Sequence, residues 1–573
     1  MQKIIIHRLV PQIPQVFAQM HPVLARIYAS RGISAPMELK TQHLLPYQEL
    51  KGIQESIVIL ADALKQQKRI LFVGDFDADG ATSVAVGVRC LRMMGAAHIE
   101  YLVPNRFEYG YGLTPEIVKV AQTYHPDLII TVDNGISSVE GVAYAKSQGI
   151  QVLITDHHLP PAELPNADAI VNPNQHGDLF ASKHLAGVGV IFYVMLALRA
   201  HLRELNWFVE KDIPEPNLAV ILDLVALGTV ADVVALDANN RILVHQGLQR
   251  IKAGHACVGI QALIQVAQRN CEKISASDLG FAIAPRLNAA GRLQDMSLGI
   301  ACLLSDNLQE AIDMALQLDT LNQQRRSLEA QMKSEAMAMI DDIALGDREK
   351  LPTGVCLYDE KWHQGVVGIL AGRIKERLQR PVICFAKISD QELKGSARSI
   401  PGLHIRDLLE HITCVKPELI MKFGGHAMAA GLSILPEHFL EFAKTFDEHV
   451  AQLISVEQLN GFIETDGELA SEAFSLELAE TLKHAGPWGQ AFPEPLFDGE
   501  FEILNQQILS EKHVKCHLRP IGSDILLEAI SFFVDFETWP KGAGNVRAVY
   551  RLDVNEFRGQ KKLQLMIEHC FFA

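Results

Sequence analysis

The N-terminal half of the chain alternates short apolar runs with longer segments of helical periodicity. Apolar runs predict strands at 69–74, 98–104, 127–132 and 151–155, and amphipathic or small-residue segments between them predict helices. Strands that alternate with helices of about 10 to 15 residues are typical of βαβ units. The expected fold class is therefore α/β, with a parallel sheet.

The C-terminal half has a different pattern. Residues 307–343 keep a helical period with few breakers, which predicts a helix of about 50 Å. A second α/β unit begins at Gly354, and short alternating segments after residue 455 predict an antiparallel barrel. The predicted domains are a helical lead-in (1–45), an α/β catalytic domain (46–305), a connecting long helix (306–345), a smaller α/β domain (346–454) and a C-terminal β-barrel (455–573).

Three acids follow the first strand of the predicted sheet, in the sequence RILFVGDFDADG. Asp75, Asp77 and Asp79 occupy alternate positions, so they can project together from the strand end and share a cation. The same letters begin a calcium loop of the EF-hand type. That loop requires a glutamate at its twelfth position, where this chain has Val86, and it follows a helix rather than a strand. The EF-hand alternative is therefore rejected.

Other candidate ligands also follow predicted strands. Because carboxyl ends of parallel strands meet at one edge of a sheet, these side chains are expected to lie together. A lone acid at a strand end more often caps a helix, but three strands that all end in potential ligands favour a metal site. Carboxylates with imidazole suit Mn²⁺, and the acids suit Mg²⁺; the set is large enough for two ions. The predicted catalytic ligands are Asp77, Asp79, Asp133, His157, His158 and Asp223. Direct roles of Asp75, Asp156 and Asp232 stay open.

Composition narrows the class of protein. The sequence has 48% hydrophobic residues and no apolar stretch of about twenty residues, so we expect no membrane association. Nine cysteines are scattered without a Cys-x-x-Cys pair, which argues against zinc knuckles and disulfides and favours the cytoplasm. The net charge of −16 argues against a polyanionic ligand, although metal-binding acids and a local basic groove would offset that argument.

Local clusters of arginine and aromatic residues point to single-stranded nucleic acid. Arg106 and Tyr111 lie in NRFEYGYGL, where aromatic faces beside arginine suit base stacking and phosphate contact. The alternative for this segment is a glycine-broken loop with a buried phenylalanine. A second set of residues is expected to bind the terminal 5′ phosphate of the strand. It comprises Arg286 and Arg292 in a predicted loop, Ser396 and Arg398, and His426 in GGHAMAAG.

Four segments in order, DFDADG, VDNG, TDHH and LDLVALGTVADV, resemble the motifs of the DHH phosphoesterase family. GGHAMAAG resembles the signature of the associated C-terminal domain. Over nearly its whole length the chain is similar to the family's bacterial exonucleases specific for single-stranded DNA. The resemblance implies hydrolysis in the 5′ to 3′ direction to 5′-mononucleotides, in DNA repair and recombination, with Mn²⁺ or Mg²⁺ and two ions. It also implies that the predicted ligands match the family's metal residues.

The resemblance further implies an OB-like barrel that binds single-stranded DNA, and a monomer. Single-strand-binding protein and recombination helicases are further candidate partners. Two alternative functions fit the sequence less well. A small-substrate phosphoesterase of the same family, acting on oligonucleotides or cyclic dinucleotides, generally lacks the additional β domain. A non-catalytic replication scaffold would have lost metal ligands, and every ligand position is filled here.

Overall fold

The computed structural model describes residues 4–105, 109, 112–344, 351–455, 459, 461–536, 539–540, 542, 544–557 and 559–572. The helices are α1 Pro22–Ser30, α2 Ile53–Gln66, α3 Ala78–Met93, α4 Pro115–Ala121, α5 Val139–Ser147, α6 Gly187–Glu204, α7 Trp207–Glu210, α8 Leu222–Ala231, α9 Ala238–Lys252, α10 Val258–Val266, α11 Ala276–Asp278, α12 Ala284–Leu293, α13 Ser297–Leu304, α14 Leu308–Ala344, α15 Val367–Leu378, α16 Ile405–Val415, α17 Phe439–Leu453 and α18 Leu476–His484. The strands are β1 Ile4–His7, β2 Ile70–Gly74, β3 Ile99–Leu102, β4 Leu128–Val132, β5 Gln151–Thr155, β6 Ala169–Val171, β7 Val355–Asp359, β8 Val382–Ser389, β9 Glu392–Arg398, β10 Lys422–Gly425, β11 Ala429–Ile434, β12 Phe462–Thr465, β13 Phe497–Leu509, β14 His513–Pro520, β15 Leu527–Ser531, β16 Gly544–Phe557 and β17 Gln560–Phe572.

The chain divides into two compact units. The larger unit contains Leu9–Asn322 and Glu468–Ala573, and the smaller contains Met1–Arg8 and Gln323–Gly467. The barrel therefore packs in the same unit as the N-terminal sheet, although more than a hundred residues of chain separate them. The five domain boundaries given above stay predictions. Within the described ranges, no helix is both long enough and apolar enough to cross a membrane.

A five-stranded sheet forms the centre of the larger unit, in the order β3-β2-β4-β5-β6. All neighbouring strands run parallel, and the register places Gly74, Val132 and Thr155 side by side at the carboxyl edge. Strands β2 and β4 are buried at every position because helices cover both faces. The predicted parallel sheet is confirmed, and it brings the ends of β2, β4 and β5 together.

Helices α3 and α6 pack against this sheet, and the buried helix α8 packs against both of them. In α3 many residues are small, and Gly87 lies so close to Phe72 that a Cβ there would be 2.4 Å from the ring. In α8 every residue from Leu222 to Thr229 is buried, so this helix has no polar face. Close helix packing fixes the loops that follow the strands, which carry the candidate ligands.

The C-terminal strands form a closed barrel in the order β13-β14-β15-β17-β16. Phe501 in β13 pairs with Pro520 on one side and Val546 on the other, and its ring lies in the barrel core. Contacts join the barrel region to the α/β part: Lys273 pairs with Glu556 at 2.8 Å. The predicted fold class, α/β with an additional β-barrel, is confirmed.

The smaller unit has a mixed five-stranded sheet in the order β10-β11-β9-β8-β7. GGHAMAAG comprises the end of β10, the turn after it and the start of β11, and the two strands pair antiparallel. The N-terminal strand β1 pairs in parallel with β12. The sequence predicts only helical structure in the first 45 residues. This expectation is wrong for β1, because a four-residue strand with a partner more than 450 residues away leaves no local signal.

A second difference concerns APRLNAAGR, for which the sequence predicts a loop. In the structure it forms α12, after a π-helical turn at Leu279–Ile283. Pro285 lies in the first turn, where a proline costs no hydrogen bond. Gly291 packs on the backbone, since a Cβ there would lie 1.7 Å from the carbonyl oxygen of Phe76. In the sequence, proline and glycine suggest a loop. In the structure, Pro285 lies in the first turn of the helix and Gly291 allows the helix to pack closely.

Candidate metal centre

The acids after β2 are held by backbone amides at two helix N-termini. The Oδ1 atom of Asp77 accepts hydrogen bonds from the N–H groups of Asp79 (2.9 Å) and Gly80 (3.0 Å), so Asp77 caps α3. The carboxylate of Asp79 accepts from Gly187 (2.6 Å) and Val188 (2.9 Å) at the start of α6. Both carboxylates are thus held in place by backbone hydrogen bonds.

Asp133, directly after β4, has a left-handed backbone with φ of 60° and is 2% exposed. A non-glycine residue in this region is uncommon and often marks a functional site. Gly187 lies against it, because a Cβ on Gly187 would be 2.6 Å from the Asp133 Cβ. Asn134 donates to the carbonyl of Val73 at 3.1 Å and so joins the ends of β2 and β4. The backbone therefore directs Asp133 towards the acids of the first motif.

Asp156, at the end of β5, orients one of the two histidines that follow it. Its Oδ1 accepts a hydrogen bond from the Nδ1 of His158 at 2.7 Å, and its Oδ2 accepts from the N–H of Ile136 at 2.9 Å. Burial opposes ionisation of Asp156, but the His158 hydrogen bond and charge outweigh it and lower the pKa of Asp156. Burial also opposes the charge on His158, yet the same hydrogen bond raises the pKa of His158 to about 9. A metal would bind the other ring nitrogen, Nε2, with Asp156 as the orienting partner.

Donor atoms from the strand ends meet in one cluster. The Nε2 atom of His157 lies 3.1 Å from Oδ1 of Asp133 and 3.4 Å from Oδ2 of Asp232. Among the described residues, three sets have donors within 4.8 Å of one another: Asp133 with His157 and His158, Asp79 with His157 and Asp232, and Asp75 with Asp77 and Asp133. Asp133 and His157 each belong to two sets. Overlapping sets of this kind suit two ions with a shared ligand.

The electrostatics of the cluster also suit cations. Burial, and then the charge of Asp77, raises the pKa of Asp79 to about 7. Burial, and then the charge of Asp79, raises the pKa values of Asp133 and Asp232 well above their ordinary range. Divalent cations would offset this repulsion, and donors that are all carboxylate oxygen or imidazole nitrogen suit Mn²⁺ and, through the carboxylates, Mg²⁺. The residues present therefore fit a metal centre.

Asp223, which the sequence predicts to be a ligand, does not lie in this cluster. Asp223 is in the first turn of α8 and Asp232 follows its last residue, so about 13 Å of helix rise and half a turn separate them. The Oδ2 atom of Asp223 instead accepts from the N–H of Cys257 at 2.5 Å, and burial raises the pKa of Asp223. Asp232, whose direct role the sequence does not decide, occupies the place that we expected for Asp223.

Sequence reasoning gives too little weight to two further residues. Asp75 is buried and belongs to the donor set that contains Asp77 and Asp133. Asn288 in α12 accepts a hydrogen bond from the N–H of Ala78 at 2.7 Å and so holds the first turn of α3. The alternate spacing of the acids is a signal for Asp75. Asn288 gives no signal, because the sequence predicts a loop for its segment.

The residues predicted to bind DNA fall in different parts of the chain. Arg106 and Tyr111 lie outside the described residues. Arg286 is in α12, where its Nη2 pairs with Asp319 at 2.9 Å and its Nη1 donates to the carbonyl of Ala282. Arg292 is near the end of the same helix. Arg286 therefore has an acidic partner that a phosphate would have to displace.

Ser396, Arg398 and His426 lie in the smaller unit. The Nη1 atom of Arg398 donates to the Ser396 Oγ at 3.1 Å, and burial lowers the pKa of Arg398. Gly368 leaves room beside them, since a Cβ there would be 2.9 Å from the Ser396 Oγ and 3.0 Å from the Arg398 Nη2. His426 is exposed in the turn between β10 and β11. Strand β11 pairs with β10 on one side and with β9 on the other. Ser396 and Arg398 in β9, and the turn that carries His426, therefore belong to the same sheet.

Three domain families match the chain in succession. The N-terminal domain of the DHH family matches residues 69–229, the DHHA1 domain matches residues 352–452, and the RecJ OB domain matches residues 465–569. The single-stranded-DNA-specific exonuclease RecJ of Escherichia coli K12 is 53% identical over 557 residues, which cover 97% of this chain and 96% of that protein. The chain belongs to the RecJ family.

Solved RecJ structures have the same fold. The crystal structure of RecJ from Thermus thermophilus in complex with Mn²⁺ matches with a TM-score of 0.82 and 28% identity. The match covers all of this chain and 80% of the Thermus chain. The Mg²⁺ complex of that RecJ matches with a TM-score of 0.75 and 27% identity, and the match covers 78% of its chain. The resemblance to the DHH phosphoesterases, expected from the motifs, is thereby confirmed.

Mn²⁺ is expected to stabilise the protein more at pH 8 than at pH 6. The pKa of Asp79 is about 7 in the folded metal-free protein and about 4 in an unfolded chain. Between these values the folded state binds more protons, so the stability of the metal-free protein falls as pH rises from 4 to 7. Bound Mn²⁺ needs the ionised carboxylate, and it should reverse this loss. Melting temperatures with EDTA and with Mn²⁺ across a pH series from about 5.5 to 8.5 test the expectation; a metal-induced shift that is constant with pH would contradict it.

Proposed function

We propose that this protein is a metal-dependent exonuclease that degrades single-stranded DNA in the 5′ to 3′ direction and releases 5′-mononucleotides. The observation that carries the proposal is the meeting of Asp133, His157 and Asp232 with the acids after β2. Relatives that align over nearly the whole chain are named single-stranded-DNA-specific exonucleases. A phosphodiester is the substrate that a two-metal carboxylate site is suited to cleave.

The residues that would hold two Mn²⁺ or Mg²⁺ ions are Asp75, Asp77, Asp79, Asp133, His157, His158 and Asp232. When bound, such a pair of ions supplies an activated water and stabilises the leaving oxygen of a phosphoester. The chain's own contribution is geometry. The amides of Gly187 and Val188 hold Asp79, and Asp156 orients His158. Fixed ligands of this kind need little reorganisation during the reaction.

We assign the 5′ to 3′ direction of digestion to recognition of the 5′-terminal phosphate of the strand. Ser396 and Arg398 form a hydrogen-bonded pair beside Gly368, and a guanidinium with a neighbouring hydroxyl suits phosphate oxygens. A terminal phosphate carries more negative charge than an internal phosphodiester at neutral pH, so the pair should favour a strand end. Arg292, Arg286 and the exposed His426 are proposed as further phosphate contacts, and Arg106 and Tyr111 as strand contacts.

Strand binding by the barrel is assigned to aromatic residues more than to basic ones. Arg519 pairs with Glu502, and Arg547 pairs with Asp498 at 2.6 Å, so these arginines already have acidic partners. Phe533 is 80% exposed, and its ring lies 4.9 Å from that of His513. Exposed rings on an OB-type barrel provide faces on which bases can stack.

Further assignments follow the family resemblance. We propose a role in DNA repair and recombination in the cytoplasm, with the protein acting as a monomer. Single-strand-binding protein and recombination helicases are proposed partners. The alternative function, hydrolysis of small or cyclic dinucleotides, is disfavoured because the closed barrel adds a surface that such substrates do not need.

Digestion of end-labelled oligonucleotides tests the proposed function. With Mn²⁺, a 5′-labelled single strand of about 30 nucleotides should release labelled mononucleotide at once, whereas a 3′-labelled strand should shorten progressively. A blunt duplex of the same sequence should resist digestion, and EDTA should stop all release. The matched control is a cyclic dinucleotide under the same conditions. Initial release from the 3′ end, or preferred cleavage of the cyclic dinucleotide, would overturn the proposal.

Arg398→Ala is expected to reduce the preference for a 5′-phosphorylated strand over a 5′-hydroxyl strand by about 10- to 100-fold. Charge-assisted hydrogen bonds contribute about 1.5 to 3 kcal/mol, which corresponds to that range. Arg406→Ala is the control, because Arg406 is exposed on α16 of the same unit. The measurement is kcat/KM on the two substrates. An undiminished preference in Arg398→Ala would remove Arg398 from phosphate recognition.

A further inference from the structure

A pocket lies where the C-terminal end of α3 meets the N-terminal end of α8, away from the metal cluster. The two helices run in opposite directions: a Cβ on Gly228, late in α8, would touch Thr82, early in α3. The last turn of α3 and the first turn of α8 line a cavity of about 330 Å³. Arg92 in its wall follows Asp79 by thirteen residues, or about 20 Å of helix. The cavity is therefore separate from the metal site.

The wall of this pocket is basic in a protein whose net charge is −16. Arg89, Arg92, Arg250 and His255 line it, with Asp306 as the acidic member. Arg89 pairs with Asp306 at 3.0 Å and donates to carbonyls at the end of α13, so its role is structural. Arg92 and Arg250 form no ion pair with any residue that the structure describes. Arg92, Arg250 and the ring of His255 thus line one cavity, and the two arginine charges are available to an anion.

Arg250 gives a second, independent indication of a ligand. Its Nε atom is buried from solvent and has no hydrogen-bond partner in the described part of the chain. A buried donor without a partner is unfavourable, so a ligand that accepts a hydrogen bond from it would bind more tightly. The carboxylate of Asp223, behind the wall, partly balances the Arg250 charge but accepts its hydrogen bond from Cys257. Helix α10 also begins at this wall and adds the positive end of its dipole.

The remaining wall is apolar. Met93, Val220, Ile221, Leu224 and Leu304 form it. Ligand pockets are typically apolar with a few polar groups that fix orientation, and their volumes begin at about 300 Å³. A molecule that suits this lining has an anionic group together with a weakly polar body.

We propose that this pocket binds a small phosphorylated molecule of nucleoside monophosphate chemistry, with its phosphate on Arg92 and Arg250 and its base against the apolar wall. Inorganic phosphate carries the negative charge but lacks the base and sugar, and a nucleoside has the base and sugar but lacks the charge. The pocket should therefore prefer the complete nucleotide to either part. This inference does not depend on nuclease activity, since none of these residues belongs to the metal cluster.

Binding of dAMP by calorimetry tests the proposal, with full-length Asp133→Asn protein in EDTA so that the metal site is disabled. We expect saturable binding of dAMP, weaker binding of inorganic phosphate and still weaker binding of deoxyadenosine. Arg250→Gln should weaken dAMP binding at least about tenfold, as expected for loss of a charge-assisted hydrogen bond. Val220→Phe, which fills the cavity from a half-buried position, should do the same without a change of charge.

Arg377→Gln is the matched control, because Arg377 is exposed on α15 in the smaller unit; its dAMP affinity should equal that of the parent. Circular dichroism establishes folding of each variant, and Val220→Phe decides the question if Arg250→Gln does not fold. The proposal is overturned if dAMP does not bind, if both pocket variants bind dAMP as the parent does, or if inorganic phosphate binds as tightly as dAMP.

Discussion

Asp133→Asn is expected to reduce nuclease activity about a thousandfold or more while the protein stays folded. Asp133 belongs to two of the three donor sets, so its loss affects both proposed ions. A thousandfold loss corresponds to about 4 kcal/mol of transition-state stabilisation, within the range for one shared ligand. Asparagine tolerates the left-handed backbone at this position better than alanine does. The measurement is kcat on single-stranded DNA at saturating Mn²⁺.

Stability should not fall in this variant. Burial and the charge of Asp79 raise the pKa of Asp133, which means that its ionised form is unfavourable in the metal-free protein. Removing the charge should leave the melting temperature in EDTA unchanged or higher. The matched control is Asp127→Asn. Asp127 precedes β4, at the end opposite Asp133, and its carboxylate accepts a hydrogen bond from the N–H of Arg69. Asp133→Asn with more than about a tenth of the parent activity would exclude Asp133 from the metal centre.

Asp232→Asn and Asp223→Asn are expected to differ sharply in their effects on activity. Asp232 lies 3.4 Å from His157, so its replacement should lower kcat at least about a hundredfold, or roughly 2.7 kcal/mol. Asp223 accepts a hydrogen bond from Cys257 and lies outside the donor sets, so its replacement should leave kcat within about threefold. Asparagine keeps an acceptor at position 223, and we expect a stability loss of about 1 kcal/mol. Loss of activity in Asp223→Asn alone would restore the assignment made from the sequence.

The contrast between these two acids shows where sequence reasoning succeeds. Strand ends in a parallel sheet converge whatever the details of packing, so Asp77, Asp79, Asp133 and His157 could be grouped from the chain alone. The fourth motif is helical, and there the grouping depends on which end of α8 lies near the metal cluster. Its residues are apolar almost throughout, so the sequence has no polar face that would orient it.

Long-range packing was also beyond the sequence. The pairing of β1 with β12 and the contact between the barrel and the α/β part join segments that are hundreds of residues apart. Hydrophobic periodicity indicates which face of a helix or strand is buried, but it does not identify the element that packs against that face. The barrel itself was predictable, because alternation with a period of two extends through β16 and β17.

The number of Mn²⁺ ions bound per chain tests the central claim most directly, namely that the cluster around Asp133 and His157 is a two-metal centre completed by Asp232. Electron paramagnetic resonance can count free Mn²⁺ during titration of the parent, Asp232→Asn and Asp223→Asn proteins. The account predicts two tightly bound ions in the parent and in Asp223→Asn, and at most one in Asp232→Asn. A single ion in the parent, or two ions in Asp232→Asn with fewer in Asp223→Asn, would contradict it.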